Sequence, residues 1–182
     1  MDADVLLWMV EHRVAWVTSL FWVITTLGNT VWMFVWSIAG CSALLMSGRR
    51  PDAIMVGGAM LTGWGAMSLA KLLWGRARPP VPERLVEISS YSFPSGHAMM
   101  SAILATVTIA VLVTSRTPCL HRRSLLALPV VGTLAIGFSR IYLGAHWTTD
   151  VLAGWVFGAL WGLLWIVVVR AISDPRSRTA AR

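Results

Sequence analysis

Charged residues divide this chain into long apolar blocks. None falls within residues 14–48, 53–70, 98–115, 124–138 or 151–169. Uncharged apolar runs of this length predict membrane-spanning helices. The first block is long enough for two spans, and the turn-like triplet Gly28-Asn29-Thr30 lies near its middle. The pattern predicts an all-α, integral membrane, six-helix transmembrane bundle in one domain over residues 1–182. Its spans are expected near 10–27, 31–47, 53–73, 97–115, 124–140 and 148–170. Residues 2–13 mix Asp2, Asp4, Glu11, His12 and Arg13 with apolar positions, an amphipathic lead-in for the membrane interface. Its acidic start and the lack of a small-x-small cleavage site argue against a signal peptide. Pro79, Pro80 and Pro82 stop a helix from running straight through the loop after the third span. Gly57, Gly58, Gly63 and Gly65 suit close helix packing in lipid. The tail from Arg170 is polar and basic and is expected to fray.

Composition agrees with this pattern. The chain is 57% hydrophobic and 13% charged, with mean hydropathy +0.70, whereas soluble domains carry about 25% charged residues. The net charge of +7 sits between the apolar blocks. It therefore reads as membrane topology and excludes nucleic acid as a partner. In the six-span arrangement the N-terminus, residues 49–50, residues 116–123 and the tail share one side with ten Lys and Arg residues. Residues 71–97 and 139–150 share the other with five. The positive-inside rule then puts both termini in the cytoplasm and the 71–97 and 139–150 loops at the outer face of the cell membrane. A single span in the first block would invert the later loops. Cys41 and Cys119 have no CxxC or metal-ligand spacing. The eleven tryptophans read as interface-belt and packing residues.

Three polar clusters fall on the outer side. Lys71 and Arg78 are seven apart and share a face if the third helix continues. Pro94-Ser95-Gly96-His97 opens the fourth span. Ser95 suits an N-cap, Gly96 allows close backbone approach, and the free amides of a helix N-terminus bind anions. Ser139-Arg140 with His146 and Asp150 precedes the sixth span, and His146 and Asp150 stand at helical i,i+4 spacing. Lys71, Arg78 and Arg140 at membrane level call for an anion, and a phosphate fits them best. A neutral His146 nitrogen can attack phosphorus while Asp150 holds the opposite N–H. His97 can protonate the leaving oxygen, and the cations can stabilise the transferring oxygens. No other His, Asp, Glu or Cys cluster offers a two-metal site. Metal-free chemistry with no cofactor is therefore expected.

Lys71-x6-Arg78-Pro79, Pro94-Ser95-Gly96-His97 and Ser139-Arg140-x5-His146-x3-Asp150 resemble the three signature motifs of the type 2 phosphatidic acid phosphatase (PAP2) superfamily, which also includes vanadium haloperoxidases. All three are complete, in order and at the family's spacing. The resemblance implies a six-helix membrane fold and a covalent phosphohistidine on His146. It implies His97 as general acid, Asp150 as the partner of His146, and Lys71, Arg78, Ser95, Gly96 and Arg140 as phosphate ligands. The compact chain is similar to bacterial members of the family. It implies a lipid phosphate or diphosphate substrate, with undecaprenyl diphosphate expected first and phosphatidylglycerol phosphate or phosphatidic acid as alternatives.

Other readings attach to single residues. Arg76 and Arg84 read as snorkelling interfacial residues. Ser139 reads as a cap or loop support, and residues 83–92 as a solvated connector in preference to a gating loop over the site. Trp74, Trp147 and Tyr142 lie near the site by sequence, with belt placement the default. A non-catalytic lipid-binding or transport protein is the alternative of another class, and a haloperoxidase a remote third. Oligomeric state is not legible in the sequence.

Overall fold

The computed structural model describes residues 1–80, 83–115 and 122–173, with backbone alone for Arg122 and Arg123. These residues form helices α1 (Asp2–Glu11), α2 (Ala15–Leu27), α3 (Thr30–Met46), α4 (Arg50–Trp74), α5 (Gly96–Thr114), α6 (Arg122–Tyr142) and α7 (Thr148–Ser173). No strand occurs among the described residues. Cys119, Arg116 and the basic tail with Arg176, Arg178 and Arg182 lie outside them.

Local chemistry sets several boundaries. Asn29 caps α3, its side-chain oxygen accepting from the Trp32 amide at 3.0 Å. Pro51 stands in the first turn of α4, where its missing N–H costs nothing. Gly75 ends α4 in the left-handed region at φ 57°. Lys71 and Arg78 therefore do not share a helix: α4 stops before Arg78 reaches the face expected of it.

Helices α4, α5, residues Ser124–Tyr142 of α6, and α7 are each long and apolar enough to cross a bilayer. The first block behaves differently. The expected first span breaks at residues 12–14, and α2 has 13 residues. Helices α2 and α3 meet the criterion together, as a pair bent by 53° at Gly28-Asn29.

Helix α5 is the centre of the bundle. Its Met100, Ile103 and Val107 are fully buried, together with Met60 of α4. Leu69, Leu72, Leu128, Leu160 and Val167 lie exposed on the outside, as a lipid-facing surface requires. The expected glycine packing of α4 is divided. A side chain at Gly58 or Gly63 would run into Trp165 or Ile103, whereas the space at Gly65 is open. The tighter seam is between α5 and α7. A Cβ at Gly154 would lie 2.8 Å from the Ser95 carbonyl oxygen and 3.0 Å from the Ala98 Cβ. Gly158 faces the Met99 carbonyl and Gly162 faces Thr106 in the same way.

The position of the N-terminus corrects the expected topology. Asp2 contacts Arg76 and Thr149, and Arg13 donates to the Glu83 and Tyr142 carbonyls at 2.5 and 3.0 Å. Helix α1 thus sits at the same end of the bundle as the 71–97 and 139–150 loops. Arg170 and Ser173 lie beside Arg49, Asp52 and Thr114 at the opposite end. The two ends of the described chain therefore lie at opposite ends of the bundle, with the bent pair α2 and α3 leading from one to the other.

Candidate active site

The loop after α4, the N-terminus of α5, the C-terminus of α6 and the turn before α7 enclose a cavity of about 620 Å³. Lys71, Arg78, Gly96, His97, Arg140 and His146 all line it. Three clusters far apart in the chain are thereby brought to one space. Asp150, Ser95, Pro94 and Ser139 stand behind its wall.

His146 is 2% exposed and lies in the turn between α6 and α7, not on a helix. Gly144 makes that turn at φ 68°, with no room for a side chain because the Glu83 carbonyl would lie 2.6 Å from a Cβ. The His146 Nε2 is 3.1 Å from the Arg78 Nη1. A guanidinium only donates, so Nε2 accepts and carries no proton. The proton is then on Nδ1, which faces Asp150 Oδ2 at 3.5 Å and Ser92 Oγ at 3.4 Å. Burial, followed by the charges of Arg78, Arg140 and Lys71, pushes the His146 imidazole well below its usual range. It is neutral at pH 7, with a bare nitrogen turned to the cavity wall that carries Arg78.

Asp150 is fully buried and has four donors around it. Ser92 Oγ donates to Oδ2 at 2.5 Å, and the Trp147 amide donates to the same oxygen at 3.0 Å. Arg76 Nη1 donates to Oδ1 at 2.5 Å. The expected Asp150–His146 contact is present but is the longest of the set. Neither Ser92 nor Arg76 was expected. Arg76 is not a snorkelling residue: it joins Asp150, Thr149 and Asp2. Ser92 left no sequence signal beyond standing two residues before Pro94.

Two of the three cations are held by backbone carbonyls. Lys71 Nζ donates to the carbonyls of Tyr91 and Pro94 at 2.7 and 2.9 Å. Arg78 donates to the carbonyls of Ser90, Ala145 and Tyr91. Its burial lowers the guanidinium to about 10, still charged at neutral pH. Residues 88–91 therefore form a wall of the cavity; the expectation of a mere connector fails because their carbonyls anchor two of the three cations. Arg140 Nη1 donates to Thr25 Oγ1 of α2 at 2.5 Å, and its buried Nε has no protein partner. The buried Ser95 Oγ is also without a partner and makes no cap hydrogen bond to α5. Ser139 donates to the Ile136 carbonyl at 2.6 Å, within its own helix, which makes it a support.

Tyr142 is buried, and its hydroxyl accepts from the Val14 amide at 2.8 Å, tying α2 to the end of α6. Trp147 donates to the Ala77 carbonyl at 3.0 Å. Among the described residues no three His, Cys, Asp or Glu side chains form a metal-ligand group. A cavity ringed by three fixed cations, with a neutral imidazole and a second histidine facing into it, can hold a phosphate and transfer its phosphoryl group.

Residues 52–174 match the sequence model of the PAP2 superfamily. Phosphatidylglycerophosphatase B of Bacillus subtilis is 41% identical over 87 residues, a stretch covering 47% of this chain and 42% of that protein. This chain thus spans less than half of that relative. Decaprenylphosphoryl-5-phosphoribose phosphatase of Mycobacterium tuberculosis is 30% identical over 148 residues, covering 80% of this chain and 75% of the relative. The crystal structure of a transmembrane PAP2-type phosphatidylglycerolphosphate phosphatase from Bacillus subtilis superposes with a TM-score of 0.86. It is 25% identical, and the match covers 96% of this chain and 87% of the other.

Proposed function

From the premise that this chain belongs to the PAP2 superfamily, in which the relatives matched above are named as phosphatases, we propose that it hydrolyses a lipid phosphate or diphosphate without a metal, through a phosphohistidine on His146. The observation that carries the reading is the bare Nε2 of His146 beside Arg78 in a cavity also lined by Lys71 and Arg140. Nε2 attacks phosphorus, forming the N–P bond as the bond to the lipid oxygen breaks. A protonated His97 gives its proton to that oxygen. His97 then takes a proton from water, the resulting hydroxide attacks phosphorus, and the N–P bond breaks. The Asp150 carboxylate faces the Nδ1–H without taking its proton, and offsets the positive charge that develops on the ring. Lys71, Arg78, Arg140, the unpartnered Ser95 hydroxyl and the amides at Gly96 hold the phosphate oxygens.

A lipid substrate is supported by the cavity's own walls. Met67, Leu72 and Ile88 line it beside the cations, and Leu72 is 71% exposed on the lipid-facing surface. We take the tail to be polyprenyl, with undecaprenyl diphosphate the compound expected first. The relative matched over most of this chain bears a name that specifies a decaprenyl-linked substrate. Phosphatidylglycerol phosphate is the second reading, supported by the name of the Bacillus subtilis sequence match and by that of the Bacillus subtilis crystal structure. We take the site to face outward, because segments 49–50, 116–123 and 170–182 of the sequence hold nine Lys and Arg residues, against six in Arg13 and the 71–97 and 139–150 segments.

Purified protein is expected to release phosphate from these lipids in EDTA and to be blocked by vanadate. His146→Ala should lower turnover by at least about a thousandfold. Turnover retained in that variant would overturn the phosphohistidine, and the relative rates on undecaprenyl diphosphate, phosphatidylglycerol phosphate and phosphatidic acid decide the tail.

A further inference from the structure

Asp150 owes its place in part to side chains that are not among the named residues of the three motifs. Arg76 bridges two carboxylates, with Nη1 on Asp150 Oδ1 at 2.5 Å and Nη2 on Asp2 Oδ2 at 2.8 Å. Asp2 also accepts from the Thr149 amide at 3.1 Å and from the Thr149 hydroxyl at 2.6 Å. The first turn of α1 is thereby fastened to the first turn of α7 and to the loop carrying Arg76. Against the upward pull of its burial, the Thr149 hydrogen bonds and Arg76 hold the Asp2 carboxyl below the usual carboxylate range.

We propose that Arg76 and Asp2 are positioning residues for the reaction: Arg76 orients Asp150 and offsets part of its charge, and Asp2 sets how much of the Arg76 charge Asp150 receives. The proposal rests on the phosphatase reading above and extends the site to the N-terminal helix. Its physical basis is the placement of donors. Ser92 and the Trp147 amide both take Oδ2, the oxygen that faces His146. Among the described residues Arg76 alone takes Oδ1, so it fixes the rotation of the carboxylate from the far side. A fully buried carboxylate also needs a paired charge, and Arg76 is the cation hydrogen-bonded to it.

The charged and titratable groups around the pair are Asp2 from α1, Lys71 from α4, Arg76 and Arg78 from the following loop, His97 from α5 and Arg140 from α6. Among these, changes at Arg76 and Asp2 act on His146 through Asp150 and in opposite directions. Without Arg76 the Asp150 charge acts unopposed on the Nδ1 proton, and the ring holds its second proton to higher pH. Without the Asp2 charge Arg76 bears more fully on Asp150, and the ring loses that proton at lower pH.

The test uses the whole protein in detergent with dioctanoyl phosphatidic acid as probe. Arg76→Gln is expected to lower kcat by about ten- to a hundredfold with KM changed less than about threefold. The acid limb of its kcat/KM profile should move up by about half a pH unit or more, and that of Asp2→Asn should move down. Arg76→Lys, which keeps the charge, should bring the limb back toward wild type. The ring titration of His146 in 15N-histidine-labelled protein, assigned by the signal lost in His146→Gln, should show the same opposite shifts without any turnover. Wild-type protein that released no phosphate would sink the phosphatase reading and leave the ring titrations to decide this one. A kcat for Arg76→Gln within twofold of wild type, or shifts that are absent or of one sign in both variants, overturns the proposal. If Arg76→Gln does not fold, Asp2→Asn decides: no downward shift there overturns it.

Discussion

His146 exchanges water for Arg78 on one ring nitrogen and for Asp150 and Ser92 on the other. The exchange keeps the ring neutral at the cost of acid stability. Its folded value lies well below the ordinary 6.5. Below pH 6.5 the unfolded chain therefore binds the proton that the folded chain refuses, and stability falls as pH drops, by up to about 1.4 kcal/mol per pH unit for this group. Above that range this contribution is constant. The thermal midpoint of the protein in detergent should thus drop between pH 7 and pH 5, and more steeply than that of His146→Gln. Equal slopes would show that the ring takes a proton freely in the fold. Of the residues gathered at this scale, His146, His97, Asp150 and the three cations are legible because each stands in a spaced motif of side chains with evident chemistry. Ser92 and Arg76 are not, since a serine and an arginine in a polar loop have no pattern until the loop closes over Asp150.

Helix α7 sets the register of the site through its small residues. Gly154, Gly158 and Gly162 recur every four residues and face α5, and the Ser95 amide donates to the Asp150 carbonyl at 3.0 Å where the two helices begin. This close approach fixes the helix bearing His97 against the helix bearing Asp150. At Gly158 a Cβ would overlap the Met99 carbonyl and stand 2.8 Å from the Ala102 Cβ, and neither partner is a flexible side-chain end. Gly158→Leu should cost about 1–3 kcal/mol or more and separate the two helices, so activity falls with stability. Gly65→Ala, in open space, is expected within about 0.5 kcal/mol of wild type. Thermal midpoints of the two variants check this, and equal losses would mean that the seam is not the constraint. The glycines of α4 attracted notice in the sequence because four of them crowd one block. Those of α7 carry more weight, and only the facing backbone of α5 reveals it.

Over the whole molecule, the bend between α2 and α3 decides where the chain starts. An uncharged run of residues 14–48 holds enough apolar length for two spans. In the fold α2 is tied along the end of α6 through Tyr142 and Arg140, and α3 leads away from the site to the opposite end of the bundle. Single cysteines at Asp4 and Glu87 should therefore react with an impermeant reagent from one side of the membrane, and one at Arg170 from the other, in a background lacking Cys41 and Cys119. Labelling of Asp4→Cys and Arg170→Cys from the same side would restore the six-crossing topology. The side that labels Asp4→Cys and Glu87→Cys also reports which face the site occupies.

The sequence by itself determined the class of the molecule and most of the residues gathered around its central cavity. Apolar runs without charge have no stable home in water, and cations at their borders with two histidines and an aspartate have few uses other than a phosphate. These are properties of composition and short spacing, carried by residues 71–78, 94–97 and 139–150. Tertiary structure alone decided which carbonyls anchor Lys71 and Arg78, which oxygen of Asp150 faces His146, and that Asp2 reaches the site from the far end of the chain. Those outcomes depend on the direction in which loops and helix ends meet in space. Residues 2, 76 and 150 are joined by one guanidinium fork, and nothing along the chain records that distance.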